Sequence, residues 1–267
     1  MLEFIAEIGW NFMGDNALAA KMIRAAKSAG ATTAKFQYWN PDKLKDGPWF
    51  SDGRIDIYRK AALSDQKITT LIKECERNEI EFLISAFNVE DAKYLSDLGV
   101  KNIKIPSHEV SNVELHEFSA REFDKCYVSL GAGSWEELST AIEIYNRLSE
   151  NWVGMHCVSS YPCPANKVNL QKIQQLGKSV KVLGFSDHTE STIAPALAHC
   201  LGATVFEKHF TSDKALPGRD NKFALNQSEF SQMVSNTLEA ENMLTFLGLD
   251  AIDIEADTIA NYRGRWG

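Results

Sequence analysis

The chain has 267 residues, 44% apolar and 24% charged, a globular composition with length for one large or two small domains and not a disordered or fibrous one. Its 28 Lys and Arg against 36 Asp and Glu leave a formal charge of -8, which excludes a global field drawing it to nucleic acid or anionic lipid. No run approaches the roughly 20 apolar residues of a membrane span, no basic leader opens the chain, and Cys75, Cys126, Cys157, Cys163 and Cys200 are scattered without a CxxC pair, so a cytoplasmic protein with reduced thiols is expected.

Short apolar runs rich in Ile, Val and Phe alternate with stretches of helical apolar period, the pattern of repeated βα units. In chain order, strands are predicted over 4–7, 33–37, 82–86, 102–105, 126–129, 152–157, 180–184 and 204–209. After the first, Asp15 is placed as an N-cap before Leu18, Met22, Ala25, Ala26 and Ala29, with Gly30 just past the helix end. After the second, Pro41, Gly47, Pro48 and Gly53 interrupt 38–64, which reads as a long loop over one face, placed like a lid. Ser134 and Glu137 form a capping box ahead of Leu138, Ile142, Tyr145 and Leu148. A last helix over 227–247 stacks Phe230, Met233, Val234, Thr237 and Leu238 before Gly248.

Eight such units, in a chain close to the ~250 residues typical of the architecture, predict an α/β fold of the (β/α)8 TIM-barrel type. One domain is expected over 1–250, with a C-terminal tail over 251–267. The alternative is an open doubly wound sheet. Gly9, Gly14 and Gly30, however, fit neither GxGxxG nor a phosphate-loop spacing.

Barrel enzymes place their chemistry at the C-terminal strand ends, so the polar residues there form the candidate site. They are Glu7, Lys35 and Gln37, Ser85, Lys104 with Ser107, Ser129, Ser159 with Tyr161, Ser186 with Asp187 and His188, and Glu207 with His209. Strand alternation puts Lys35 and Gln37 on one face, as it does Glu207 and His209, and turns Phe36 and Lys208 toward the helices. Two lysines and several hydroxyls at one mouth suit an anionic, phosphate-bearing substrate. Each residue also has a plainer role. His188 and His209 are either a metal pair or two barrel-end histidines, Lys35 a substrate ligand or a structural ion pair, and Ser85, Ser129 and Ser186 ligands or helix caps. His116 and His199 fall on helices, and no base is paired by sequence with Cys157 or Cys163.

Six segments carry a more specific signal. Ala6-Glu7-Ile8-Gly9-Trp10-Asn11, Ala34-Lys35-Phe36-Gln37, Lys104-Ile105-Pro106-Ser107, His156-Cys157-Val158-Ser159-Ser160-Tyr161-Pro162, Ser186-Asp187-His188-Thr189 and Glu207-Lys208-His209-Phe210 follow one another in register. Together they resemble the N-acetylneuraminate (sialic acid) synthase family, which includes the legionaminate and pseudaminate synthases. The resemblance implies condensation of phosphoenolpyruvate with the aldehyde of an N-acetylated amino sugar, giving phosphate and a nonulosonic acid. It implies His188 and His209 as ligands of a divalent metal, manganese with magnesium or cobalt as alternatives. Lys35, Ser85, Lys104, Ser107, Ser129, Ser159 and Ser186 match its phosphoenolpyruvate-binding positions, and Gln37, Tyr161 and Asp220 its acceptor contacts. Glu7 matches an acid near the aldehyde and water, and Glu207 lines the same site.

The sequence departs from the family at Phe12, where a histidine is usual, at Leu130 and Ala132, where threonine and methionine are usual, and at Ser159, where an asparagine is usual. The tail over 251–267 falls where an antifreeze-like domain normally begins, so a homodimer or a separate protein supplying that domain is an expected partner. Two rivals remain: a Schiff-base pyruvate aldolase built on Lys35 or Lys104, and a non-catalytic, partner-dependent barrel.

Overall fold

The computed structural model describes residues 1–266; Gly267, the last residue of the expected tail, lies outside the described residues. Eight parallel strands run in the order of the sequence: β1 Glu3–Gly9, β2 Thr33–Gln37, β3 Glu81–Ser85, β4 Asn102–Ile105, β5 Lys125–Leu130, β6 Trp152–Cys157, β7 Leu183–Asp187 and β8 Val205–His209. Each pairs with the next, and β1 pairs with β8 to close the barrel. Ten α-helices lie among the described residues: α1 Asn16–Ser28, α2 Arg54–Ala61, α3 Asp65–Arg77, α4 Val89–Asp97, α5 Val113–Glu122, α6 Trp135–Leu148, α7 Lys172–Leu176, α8 Ala194–Cys200, α9 Gln227–Met243 and α10 Ala256–Asn261.

The helix starts follow the expected side-chain chemistry. Asp15 accepts from the amides of Ala17 and Leu18, and Ser134 with Glu137 forms the full capping box of α6. Gly30, at φ +95°, ends α1 in the left-handed region where a side chain is strained.

Two apolar layers result from strand alternation. The larger lies between strands and helices and includes Phe36, Phe185, Phe206 and Phe210. The smaller fills the barrel interior with Ile5, Leu83, Tyr127, Val153, Met155 and Val205. Because side chains repeat on one face every second residue, the residues two positions further along, Glu7, Ser85, Ser129 and Glu207, emerge above this plug at the C-terminal mouth. The plug closes the floor of the site from below.

Some expected boundaries move. β7 begins at Leu183, not at 180, and ends at Asp187. Val180 is buried without strand pairing: it packs over Gly154, where an added Cβ would lie 2.7 Å from Val180 Cγ1, and Leu183 is the first residue to pair, opposite Gly154. α9 stops at Met243, four residues before the expected end, and Leu238 is half-exposed where the stripe placed it inside. The 38–64 stretch is not wholly loop. Two short 3-10 turns cover Pro41–Lys43 and Pro48–Phe50, and α2 opens directly after Gly53 at φ +82°. Beyond α9 the described chain is exposed and runs to α10. No helix among the described residues is long and apolar enough to cross a membrane.

Candidate active site

A cavity of about 810 Å³ opens at the C-terminal mouth of the barrel. Of the fifteen residues expected in the site, thirteen line it: Glu7, Lys35, Gln37, Ser85, Lys104, Ser107, Ser129, Tyr161, Ser186, His188, Glu207, His209 and Asp220; Asp187 does not, because its carboxylate turns to Lys208 Nζ at 2.6 Å. The remaining one, Ser159, lies just behind, its Oγ 2.6 Å from Ser107 Oγ. Strand register assembles them. Glu7 lies opposite Lys35 on one side and His209 on the other, Gln37 opposite Ser85, Ser85 opposite Lys104, and Ser186 opposite Glu207.

At the floor, two lysines and two glutamates share one buried volume, none more than 5% exposed. Lys35 Nζ lies 2.7 Å from Glu7 Oε2 and 3.7 Å from Glu207 Oε2, and Lys104 Nζ lies 2.8 Å from Glu207 Oε2. The Lys35–Glu7 contact is close in distance but lacks hydrogen-bond alignment, since Oε2 has no hydrogen-bond partner. Ser186 donates to Glu207 Oε1 at 2.9 Å, and the Gln37 amide donates to Glu7 Oε1. Burial pushes the Glu207 carboxyl up, but the ammonium groups of Lys104 and Lys35 outweigh it and hold the acid below its ordinary value. Burial pulls Lys35 down, and the charges of Glu207 and Glu7 outweigh that in turn, so this amine stays protonated. Isolated buried charges would be costly; here each has a partner and the cluster faces a cavity.

Ser85, Ser129 and Ser186 are not caps: Asn88 caps α4, Ser134 caps α6, and no side chain caps α8. Lys208 faces away from the cavity, as strand alternation requires, and pairs with Asp187 at 2.6 Å. Cys157 is buried against Gly131, where an added Cβ would lie 2.5 Å from its Sγ, and burial raises its pKa, the opposite of an activated thiol. His116 is buried in α5 on the Val110 carbonyl, and His199 on α8 contacts the Ala203 carbonyl.

His188 and His209 face each other across the mouth with ring centroids 5.7 Å apart. Nδ1 of His188 lies 2.9 Å from the Val158 carbonyl oxygen, which makes it the donor and leaves Nε2 with the lone pair. Burial and the neighbouring His209 push His188 down to about 3, so its ring is neutral. Nδ1 of His209 is buried without a hydrogen-bond partner, 3.7 Å from Asp220 Oδ2. No group of three or more His, Cys, Asp or Glu among the described residues forms a metal cage. Two imidazoles, one orphaned buried nitrogen and a nearby carboxylate do suit a divalent ion whose remaining positions are taken by water and substrate oxygens.

The cavity also has an outer wall that the strand ends do not supply. Trp39 and Tyr58 enter from the 38–63 segment, Trp10 from the turn after β1, Phe87 from the turn after β3, and His108 and Glu109 from the turn after β4. Burial raises the Glu109 carboxyl above its ordinary value. Arg219 lines the rim beside Asp220. Tyr58 sits on α2 and the others in turns without periodicity; Trp10 falls inside the Ala6–Asn11 segment, and His108 and Glu109 directly follow Lys104-Ile105-Pro106-Ser107, but neither segment marks an aromatic wall.

A model of the NeuB family matches residues 22–247. The chain is 34% identical over 257 residues to the N,N'-diacetyllegionaminic acid synthase of Legionella pneumophila, covering 90% of this chain and 72% of that protein. It is 32% identical over 270 residues to a pseudaminic acid synthase of Campylobacter jejuni, covering 96% and 78%. The fold matches the crystal structure of an N-acetylneuraminic acid synthetase from Leptospira borgpetersenii with a TM-score of 0.86 at 30% identity, over 97% of this chain and 90% of that one. On the length of that match and the identity to these relatives, the chain belongs to the NeuB family.

Proposed function

We propose that this chain, as a carbon–carbon bond-forming synthase of the cytoplasm, condenses phosphoenolpyruvate with the open-chain aldehyde of an N-acetylated amino sugar. The products are inorganic phosphate and a sialic-acid-like 2-keto-3-deoxy-nonulosonic acid. The observation that carries the reading is the meeting, above one apolar plug, of two buried lysines, a group of serine hydroxyls and an imidazole pair. In the reaction the enol π electrons form the bond from C3 to the aldehyde carbon, and the aldehyde oxygen takes a proton. Water adds at C2, and the resulting tetrahedral carbon expels phosphate by C–O cleavage to leave the ketone.

Lys35 and Lys104, with Ser85, Ser107, Ser129, Ser159 and Ser186, hold the phosphate and carboxylate of phosphoenolpyruvate through charge-assisted hydrogen bonds. Glu207 is kept ionised between the two ammonium groups and Ser186, which makes it a weak base and a positioning group for both lysines. Glu7, oriented by Gln37, is the carboxylate left to move protons at the aldehyde oxygen and the attacking water. Gln37, Tyr161 and Asp220 hold the acceptor. His188 and His209 would hold a divalent cation, proposed as manganese with magnesium or cobalt able to substitute, which supplies Lewis-acid polarisation of the aldehyde. A Schiff-base mechanism needs a neutral amine, and the carboxylates around Lys35 hold its proton on while Lys104 sits in an ion pair.

The reading is tested by calorimetric titration with phosphoenolpyruvate. Lys104→Met is expected to weaken binding by roughly 100-fold or more, as for loss of a buried charge partner. Equal binding by wild type and variant would remove the lysine pair from the anion site.

A further inference from the structure

We propose that Trp10 is a positioning residue that ties the 38–63 segment to the acceptor side of the site, an inference that rests on the condensation reading above. Trp10 lies in the turn after β1 and is 9% exposed. Its Nε1–H donates to Asp220 Oδ2 at 2.7 Å, and that same oxygen lies 3.7 Å from His209 Nδ1. Its ring stacks on Tyr58 of α2, centroids 4.9 Å apart at 27°, and meets Trp39 edge-on at 5.6 Å. Trp39 also meets Tyr58 at 5.6 Å and Phe87 at 6.0 Å, and Phe87 stacks on His108 at 5.3 Å. Five rings from four segments thus form one wall along the cavity, and Trp10 is the member bonded to a carboxylate of the site.

An indole N–H only donates, so the bond fixes Asp220 as an acceptor and sets where its carboxylate lies beside the imidazole pair. A buried indole N–H needs an acceptor, and here the acceptor is the carboxylate that faces His209. The two functions of the ring are separable. Its face and edge belong to the aromatic wall, and so to the 38–63 segment. Its N–H belongs to Asp220, and so to the loop after β8. Movement of Tyr58 and Trp39 away from Trp10 would therefore reach Asp220 through the side chain that bonds it. The bonded and stacked partners of Trp10 include none of the lysines or serines of the anion site, so the effect falls on the acceptor and not on phosphoenolpyruvate.

The test uses Trp10→Phe, which keeps a ring and deletes the N–H, beside Trp10→Ala, which removes both. Hydrogen exchange read by mass spectrometry needs no turnover. Trp10→Phe is expected to speed exchange within 211–225 while 38–63 keeps its wild-type rate, and Trp10→Ala to speed both. In steady-state assays Trp10→Phe is expected to raise the acceptor KM by roughly 10- to 100-fold, the range for losing a hydrogen bond to a charged group, with the phosphoenolpyruvate KM within about twofold. Unchanged exchange in 211–225 with an unchanged acceptor KM overturns the proposal, as does an equal rise in both KM values. If instead no variant and no wild-type protein turns over, the condensation reading fails, and the exchange pattern alone still decides the role of Trp10.

Discussion

Glu207 meets Lys104 at 2.8 Å and Lys35 at 3.7 Å, while His188 at the same mouth is kept neutral by burial, so the charge state of the mouth is set within a handful of side chains. The stability consequence has one sign. In the metal-free protein His188 titrates at about 3 against an ordinary 6.5, so between those values the unfolded chain binds a proton that the folded chain refuses. Its contribution is intact above pH 6.5 and is lost progressively as pH falls toward 3. Glu207, held below its ordinary value, adds stability that is present above 4.5 and lost on further acidification. Urea unfolding at a series of pH values in chelator should therefore show stability falling from pH 6.5 downward, with a shallower fall for His188→Asn. A slope unchanged by that substitution would contradict the assignment of a buried neutral ring. These residues were legible in the sequence because strand alternation fixes which side chains share a face. The pairing of Glu207 with both lysines was not, since it depends on strand order around a closed barrel and not on spacing along the chain.

At the level of elements, the 38–63 segment is where sequence reading lost detail. Pro41, Gly47, Pro48 and Gly53 marked its breaks correctly, but α2 has eight residues and a weak apolar stripe, too little to register as a helix. Its placement comes from tertiary contacts instead. Gly14, at φ +75°, allows the turn after β1 to approach α2 so closely that an added Cβ would overlap the Lys60 carbonyl oxygen. Gly14→Ala is accordingly expected to cost about 1–3 kcal/mol in thermal unfolding, from overpacking against backbone and a left-handed conformation. A wild-type melting curve would show that the turn and α2 do not depend on this approach. The shift of β7 has a related cause. Val180 is buried in the core without entering the sheet while Lys181 and Val182 are exposed, and only the partner strand decides which residues of the run pair.

For the whole molecule, a closed ring of eight strands has no free edge, so a defect in one pair is felt around the barrel. Outside the mouth, the buried pair Lys208–Asp187 at 2.6 Å joins β8 to β7, and Lys208 also donates to the Ser191 carbonyl at 3.1 Å. Lys208→Met leaves the buried Asp187 carboxylate with the Thr189 amide but no counter-charge, at an expected cost of about 3–5 kcal/mol measured by denaturant unfolding. A loss below 1 kcal/mol would show that the carboxylate finds another partner. The repeated βα period and its eight units made the architecture readable from the sequence, and the strand ends made the floor of the site readable with it. The aromatic wall was hidden because its members come from the 38–63 segment, with Tyr58 on α2, and from three turns that only the closed fold brings together. The most direct measurement on the whole protein is phosphate release from phosphoenolpyruvate with added manganese. The acceptor panel comprises N-acetylmannosamine, its 6-phosphate and diacetamido-trideoxyhexoses, each with and without chelator. Release that requires an acceptor and stops with chelator is the expected result; phosphoenolpyruvate that binds but releases no phosphate with any acceptor would contradict the synthase account.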